Sequence, residues 1–237
     1  MRLPLGGNAF RGAPDGAADG SPEESARWRL GAWLALIGLL AAVGYAARAT
    51  GGKPDRDVLY KSSTAIGAIV QEAVVLAIVL GIGRAAALRS LRHPRSWPRA
   101  LVLAVVAFIA IAGTSAALEP LLHAGSEQGL TPDRWDPSRS AAYTFNFIVI
   151  AALVPIVEEL IFRGVGFSLL RRFGAPVAIG GTAVAFALAH GLVQGFPVLL
   201  VFGLGLGWLR WKTGSIIPGI AVHASFNALS LILAVTT

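Results

Sequence analysis

An all-α fold, a polytopic bundle of about seven transmembrane helices with room for an eighth, is what this sequence predicts. Three observations carry that expectation. Hydrophobic residues make up 55% of the 237, with a mean hydropathy of +0.67, well above a soluble domain. The apolar residues fall into runs of about 20, the length that crosses a hydrocarbon core about 30 Å thick. Arginines cluster between these runs rather than along one face.

Residues 1–27 are rich in Gly, Ala, Pro and Ser and poor in large apolar residues, so they are expected to be a disordered cytoplasmic tail. This tail is too long for the front of a cleaved leader, and the first apolar run should be retained as a span. Spans are expected at about 28–47, 64–83 and 99–119, making an N-terminal three-helix membrane region over 28–140. The loop at 120–140 could hide an eighth helix, and Trp135 and Tyr143 there suit the membrane interface. Four more spans, at about 142–170, 174–192, 197–210 and 216–235, make up a C-terminal core over 141–237. The sixth of the seven is short, with weak limits.

Orientation follows from counting basic residues. With the N-terminus in the cytoplasm, the inner segments hold Arg2, Arg11, Arg27, Arg29, the five arginines from Arg84 to Arg99, Arg171, Arg172, Arg210 and Lys212, thirteen in all. The outer segments hold Arg48, Lys53, Arg56, Lys61, Arg134 and Arg139, six in all. That asymmetry predicts a multi-pass protein of the cell (plasma or inner) membrane with a cytoplasmic N-terminus. The net charge of +7 is thereby explained without a nucleic-acid partner. The absence of cysteine excludes a disulfide scaffold, a thiol nucleophile and a thiolate metal site. No internal repeat suggests an inverted-repeat transporter.

Against this apolar background several polar residues stand out. A charge at mid-bilayer costs about 2.5–3.5 kcal/mol on insertion scales, yet one expected span carries Glu158, Glu159 and Arg163. Glu159 and Arg163, four apart and acid first, are placed to form an ion pair. Glu158 points about 100° away and is left without a local cation, as a group that takes a proton from water and returns it should be. Pro155, three residues before Glu158, lacks a backbone donor and should locally loosen this helix. His190 ends the next span, on the face of Phe186, and His223 and Asn227 lie one turn apart on the last span. An imidazole exchanges protons near neutral pH, and an Asn amide or a His can donate to a developing oxyanion. A carboxylate, a histidine and a His/Asn pair on three helices are the parts needed to activate water against a peptide carbonyl. Helical rise puts Glu158 about 20 Å, His190 about 24 Å and His223 about 10 Å from the cytoplasmic ends of their spans; these depths are not level.

Glu-Glu-x-x-x-Arg, then Phe-x-x-x-His, then His-x-x-x-Asn, over Ala141 to Val235, resembles the CPBP family of intramembrane proteases. That family includes the type II CAAX prenyl proteases and Abi-like bacterial proteins linked to bacteriocin processing and immunity. Phe162-Arg163-Gly164 also fits the family pattern, whereas the first three spans resemble nothing specific. The resemblance implies an intramembrane endopeptidase. Glu158 and His190 would activate the water, His223 and Asn227 would form the oxyanion hole, and Glu159, Arg163 and Phe186 would support the site. The substrate would be a membrane-associated peptide or a (prenylated) protein. Zinc held by Glu158, His190 and His223 is one option, and a metal-free glutamate mechanism is the other; Asn227 suits an oxyanion donor better than a zinc ligand.

Two other classes fit the same residues. A membrane immunity or scaffold protein would bind a peptide or partner in the same cavity without chemistry, and a proton-coupled transporter would use Glu158 and His190 as relays. Outside the motifs, Gln71 and Glu72 could line the cavity, with helix packing the simpler expectation. Gly203 and Gly207 predict a close helix contact. The Arg84–Arg99 cluster reads first as a topology determinant and second as a patch for anionic lipid.

Overall fold

The computed structural model describes residues 22–51, 55–123, 127, 130, 132 and 134–236. Seven helices, and no strand, are found among the described residues: α1 (Pro22–Thr50), α2 (Ser62–Ser90), α3 (Trp97–Leu122), α4 (140–170), α5 (Ala175–Ala189), α6 (Phe196–Thr213) and α7 (Ile217–Thr236). Helix α1 starts earlier than the expected span, with Glu23 and Glu24 in its first turn, where acids favour the helix dipole. The end of the expected tail is therefore helical, and the rest of it, residues 1–21, lies outside the described residues. Of the loop at 120–140, where an eighth helix was expected, residues 124–126, 128, 129, 131 and 133 lie outside the described residues.

Five segments are long and apolar enough to cross a membrane, namely α1, α2, α3, the segment Pro137–Phe173 around α4, and α7. The expected seven spans are thus seven helices of unequal reach. Helix α5 has 15 residues, about 22 Å of rise. Helix α6 has 18, with Arg210 and Lys212 in its last turn.

Large aliphatic residues stand outward along the bundle, among them Leu39 and Val43 of α1, Ile66 and Val70 of α2, Leu101 and Ile109 of α3, and Ile232 of α7. This is the surface expected of a chain solvated by lipid. Inside, one apolar cluster joins Trp33, Val79, Ile111, Phe162, Phe186, Leu206 and Val222, and so draws on all seven helices. Trp33 also donates its indole N–H to the Ile161 carbonyl at 3.1 Å.

Two close approaches set the packing around α4 and α5. At Gly83 α2 leaves helical geometry (φ −155°, ψ 44°) where it crosses α4, and a Cβ there would lie 3.0 Å from Val165. At Gly203 a Cβ would lie 2.7 Å from the Ala183 Cα, and at Gly207 one would lie 3.3 Å from the Ile179 Cα. The small-residue pattern of α6 is accordingly its contact with α5.

Helix α4 is not uniformly α-helical. It winds wider, in π geometry, over Val149–Leu153 and again over Leu160–Gly166. Pro155 comes two residues after the first wide turn and lacks the donor that would pair with the Ala151 carbonyl. The two wide turns bracket Glu158 and Glu159, and π turns inside helices are frequent at functional sites.

Beyond α5 the chain turns through 190–195 within the bundle rather than at its edge. Gly191 has φ +62°, and a Cβ there would lie 2.7 Å from the Gly44 Cα of α1. The turn's backbone is satisfied by side chains. Arg48 donates to the Gly191 carbonyl at 2.9 Å, and the Glu127 carboxylate accepts from the amides of Val193 and Gly195, each at 2.8 Å. At the same end of the molecule, Asn146 donates to the carbonyls of Leu59 and Lys61 and Tyr143 to that of Leu231. Trp135 packs edge-on against Tyr143.

Candidate active site

Glu159 and Arg163 are both fully buried and pair at 2.8 Å. The second guanidinium arm donates to the Gly203 carbonyl at 3.1 Å, and the Arg163 Cζ lies 4.7 Å from the Phe186 ring centre. The close α5–α6 contact thus brings a backbone oxygen and an aromatic face to the one buried arginine of α4. Helix α7 approaches the same pair through Gly219, where a Cβ would lie 2.8 Å from Glu159 Oε2.

This pair forms the floor on which Glu158 stands. Glu158 Oε2 lies 3.4 Å from His223 Nε2, and Glu158 Oε1 lies 3.7 Å from His190 Nε2. One carboxyl group therefore faces two imidazoles, one with each oxygen. His223 is almost fully buried, while Glu158 and His190 keep partial exposure to the cavity. The other nitrogen of each ring is also oriented. His190 Nδ1 is 2.8 Å from the Phe186 carbonyl, one turn back, and His223 Nδ1 faces Glu159 Oε1 at 3.5 Å. Phe186 packs against both rings, tilted to His190 with centres 4.5 Å apart and edge-on to His223 with centres 5.8 Å apart. Asn227 donates one amide hydrogen to the Ile150 carbonyl at 3.0 Å, in the first wide turn of α4, and its second hydrogen is free to act in the cavity.

The unequal depths expected from the sequence disappear for a structural reason. Ser90 marks a common level, because its carbonyl accepts from the Ile216 amide and its hydroxyl abuts Gly164. From that level Glu158 is six residues away along α4 and His223 is seven along α7, about 9 and 10.5 Å. Helix α4 simply runs on past the start of α7.

Glu158, His190, His223 and Asn227 all line one cavity of about 530 Å³, closed in by α2, α4, α5, α6 and α7. Its walls are otherwise mainly apolar, with Leu199, Phe202, Phe226 and Leu231 among them. The far wall holds Gln71 and Glu72 of α2. Glu72 is 6% exposed, its Oε2 has no hydrogen-bond partner, and its carboxyl lies within electrostatic reach of Glu158. Glu72 was expected to serve helix packing; the structure puts it in the cavity. An unmatched acid in an apolar run was the available signal.

The residue types fit a zinc site, but their geometry does not. The imidazoles face separate oxygens of Glu158, and no three His, Asp or Glu side chains among the described residues are arranged to hold a metal ion.

Residues 140–229 match the family described as type II CAAX prenyl endopeptidase Rce1-like. The matched segment is under half of the chain and contains every residue of the three motifs. No curated protein and no solved structure matches the chain.

Proposed function

We propose, on the premise that residues 140–229 are a type II CAAX prenyl endopeptidase Rce1-like segment, that this protein is an intramembrane endopeptidase using Glu158 as its general base. The observation that carries this reading is the Glu158 carboxyl held between the imidazoles of His190 and His223 in an apolar cavity. Glu158, with His190 beside it, takes a proton from water, and the hydroxide attacks the scissile carbonyl carbon. The resulting oxyanion accepts hydrogen bonds from Asn227 Nδ2 and from His223 in the tautomer that carries its hydrogen on Nε2. The proton held by Glu158 passes to the leaving nitrogen as the C–N bond breaks, giving a carboxylic acid and an amine; the acid then gives up its proton to the amine, leaving a carboxylate and an ammonium product. No step is routed through a metal. Glu159 and Arg163 act at one remove, fixing α4 against α6 and α7.

The cavity's volume and apolar walls suit an extended peptide with an apolar appendage, which supports a prenylated CAAX-type peptide as the substrate class. A peptide-binding scaffold is the rival use of the same walls. The test is incubation of the purified full chain with a farnesylated CAAX peptide, with products read by mass spectrometry. Cleavage by the wild type, and its loss by at least about a hundredfold in Glu158→Gln, is expected. Peptide binding without cleavage by either protein would make the chain a binder.

A further inference from the structure

On the outer side of the bundle, away from the catalytic cavity, α3 and α6 run antiparallel, with the Arg95 amide bonded to the Thr213 carbonyl at one end. Two cavities lie between them. One, of about 250 Å³, is lined by Arg95, Ser96, Arg99, Trp211 and Lys212 among others, and no carboxylate lines it. The other, of about 390 Å³, is lined by apolar residues of the same helices and one threonine, Thr114.

The two cavities form one groove. On α3 the lining positions run 96, 99, 100, 103 in the basic part and 106, 107, 110, 111, 114 in the apolar part, the three- and four-residue steps of a single helix face. On α6 the positions 201, 204, 205, 208 continue into 211 and 212 in the same way. The apolar stretch from Leu103 to Thr114 is about 16 Å long, the depth of one leaflet.

The basic end lacks counter-charge. No acidic side chain among the described residues pairs with Arg95, Arg99 or Lys212. Arg95 instead repels Arg210, as does Arg171. Lys212 leans over the Trp211 ring, 4.2 Å from its centre, and Trp97 and Trp211 are both exposed, as tryptophans at headgroup level are.

We propose that this groove binds one anionic phospholipid, its phosphate among Arg95, Arg99 and Lys212 and one acyl chain lying between α3 and α6. A soluble phosphate would satisfy the cations but leave the apolar length unused. A zwitterionic lipid would fill the length but bring no net charge.

Native mass spectrometry of the full chain in neutral detergent tests this, with phosphatidylglycerol, phosphatidylcholine of the same acyl chains, and inorganic phosphate as probes. Phosphatidylglycerol is expected to bind at least about tenfold more tightly than phosphatidylcholine. Arg99→Ala and Lys212→Ala, at exposed or half-buried positions, should each weaken it about fivefold. Ala110→Phe, which blocks the apolar part without changing charge, should weaken both lipids. Equal affinity for the two lipids would overturn the proposal. So would phosphate competing away the lipid fully at micromolar concentration, which would make the pocket a plain anion site, or indifference to all three substitutions. The readout does not depend on proteolysis.

Discussion

Glu159 and Arg163 are a buried ion pair proposed to hold the site rather than to react. Both are fully buried, so removing one strands the other in a medium that cannot solvate it. Arg163→Met should destabilise the protein by about 3–5 kcal/mol, while Glu159→Gln combined with Arg163→Met should recover most of that. Thermal melts in detergent of the single and double variants check this. Glu72 has the opposite profile, a polar group unpartnered at one oxygen and facing a cavity. Glu72→Leu should leave the melting temperature unchanged or raised and lower kcat/KM on the farnesylated peptide by about tenfold. Unchanged kinetics would return Glu72 to a packing role. The sequence revealed these two cases unequally. A four-residue spacing within one helix predicts contact by itself, and the 159–163 pair was legible. What Glu72 faces depends on how α2 rotates against α4, and no spacing within α2 encodes that.

Among the elements, α5 and α6 depend on contact at glycine. Gly203→Leu would drive a side chain into the Ala183 backbone and move the carbonyl that Arg163 uses, at a cost of several kcal/mol, about 3 or more. Gly113→Leu, on α3 with nothing within 4 Å, should change the melting temperature little and serves as the control. The loop before α4 is expected to respond to acid. Hydrogen bonds from Ser138 and then Arg139 hold the Asp136 carboxyl down to about 2, below the usual aspartate value of about 3.9. A lowered folded value stabilises the turn fully above the unfolded value and loses that effect as pH falls towards 2. Fluorescence of a variant keeping only Trp135 should therefore stay constant from neutral pH to about 4 and change below it, whereas Asp136→Asn should flatten the change. Helix number and order were legible because apolar runs of span length are hard to mistake. The wide turns of α4 were not, since hydropathy is blind to winding. Pro155 pointed to the right turn without specifying its form. The level meeting of Glu158 and His223 was likewise hidden, because the sequence does not say where one helix starts relative to another.

For the molecule as a whole, the basic segments around 84–99 and 210–212, assigned to the same side by counting charges, do meet, through Arg95 with Thr213 and Ser90 with Ile216. Because the chain has no cysteine, any thiol introduced is the sole reactive one. With a cytoplasmic N-terminus, His93→Cys should react with a membrane-impermeant maleimide only after cells are opened, and Asp57→Cys in intact cells. The reverse pattern would invert the topology. The short fifth helix has a consequence for the surrounding membrane. Val177, Val184 and Leu188 face outward along α5, yet its 15 residues give only about 22 Å against a core of about 30 Å. Lipid beside this helix must compress to meet it, and such mismatch costs fractions of a kcal/mol per Å. A bilayer thinned beside His190 would bring the aqueous phase closer to the site proposed to activate water. Thicker host bilayers should slow the proposed cleavage without any change in the protein's residues.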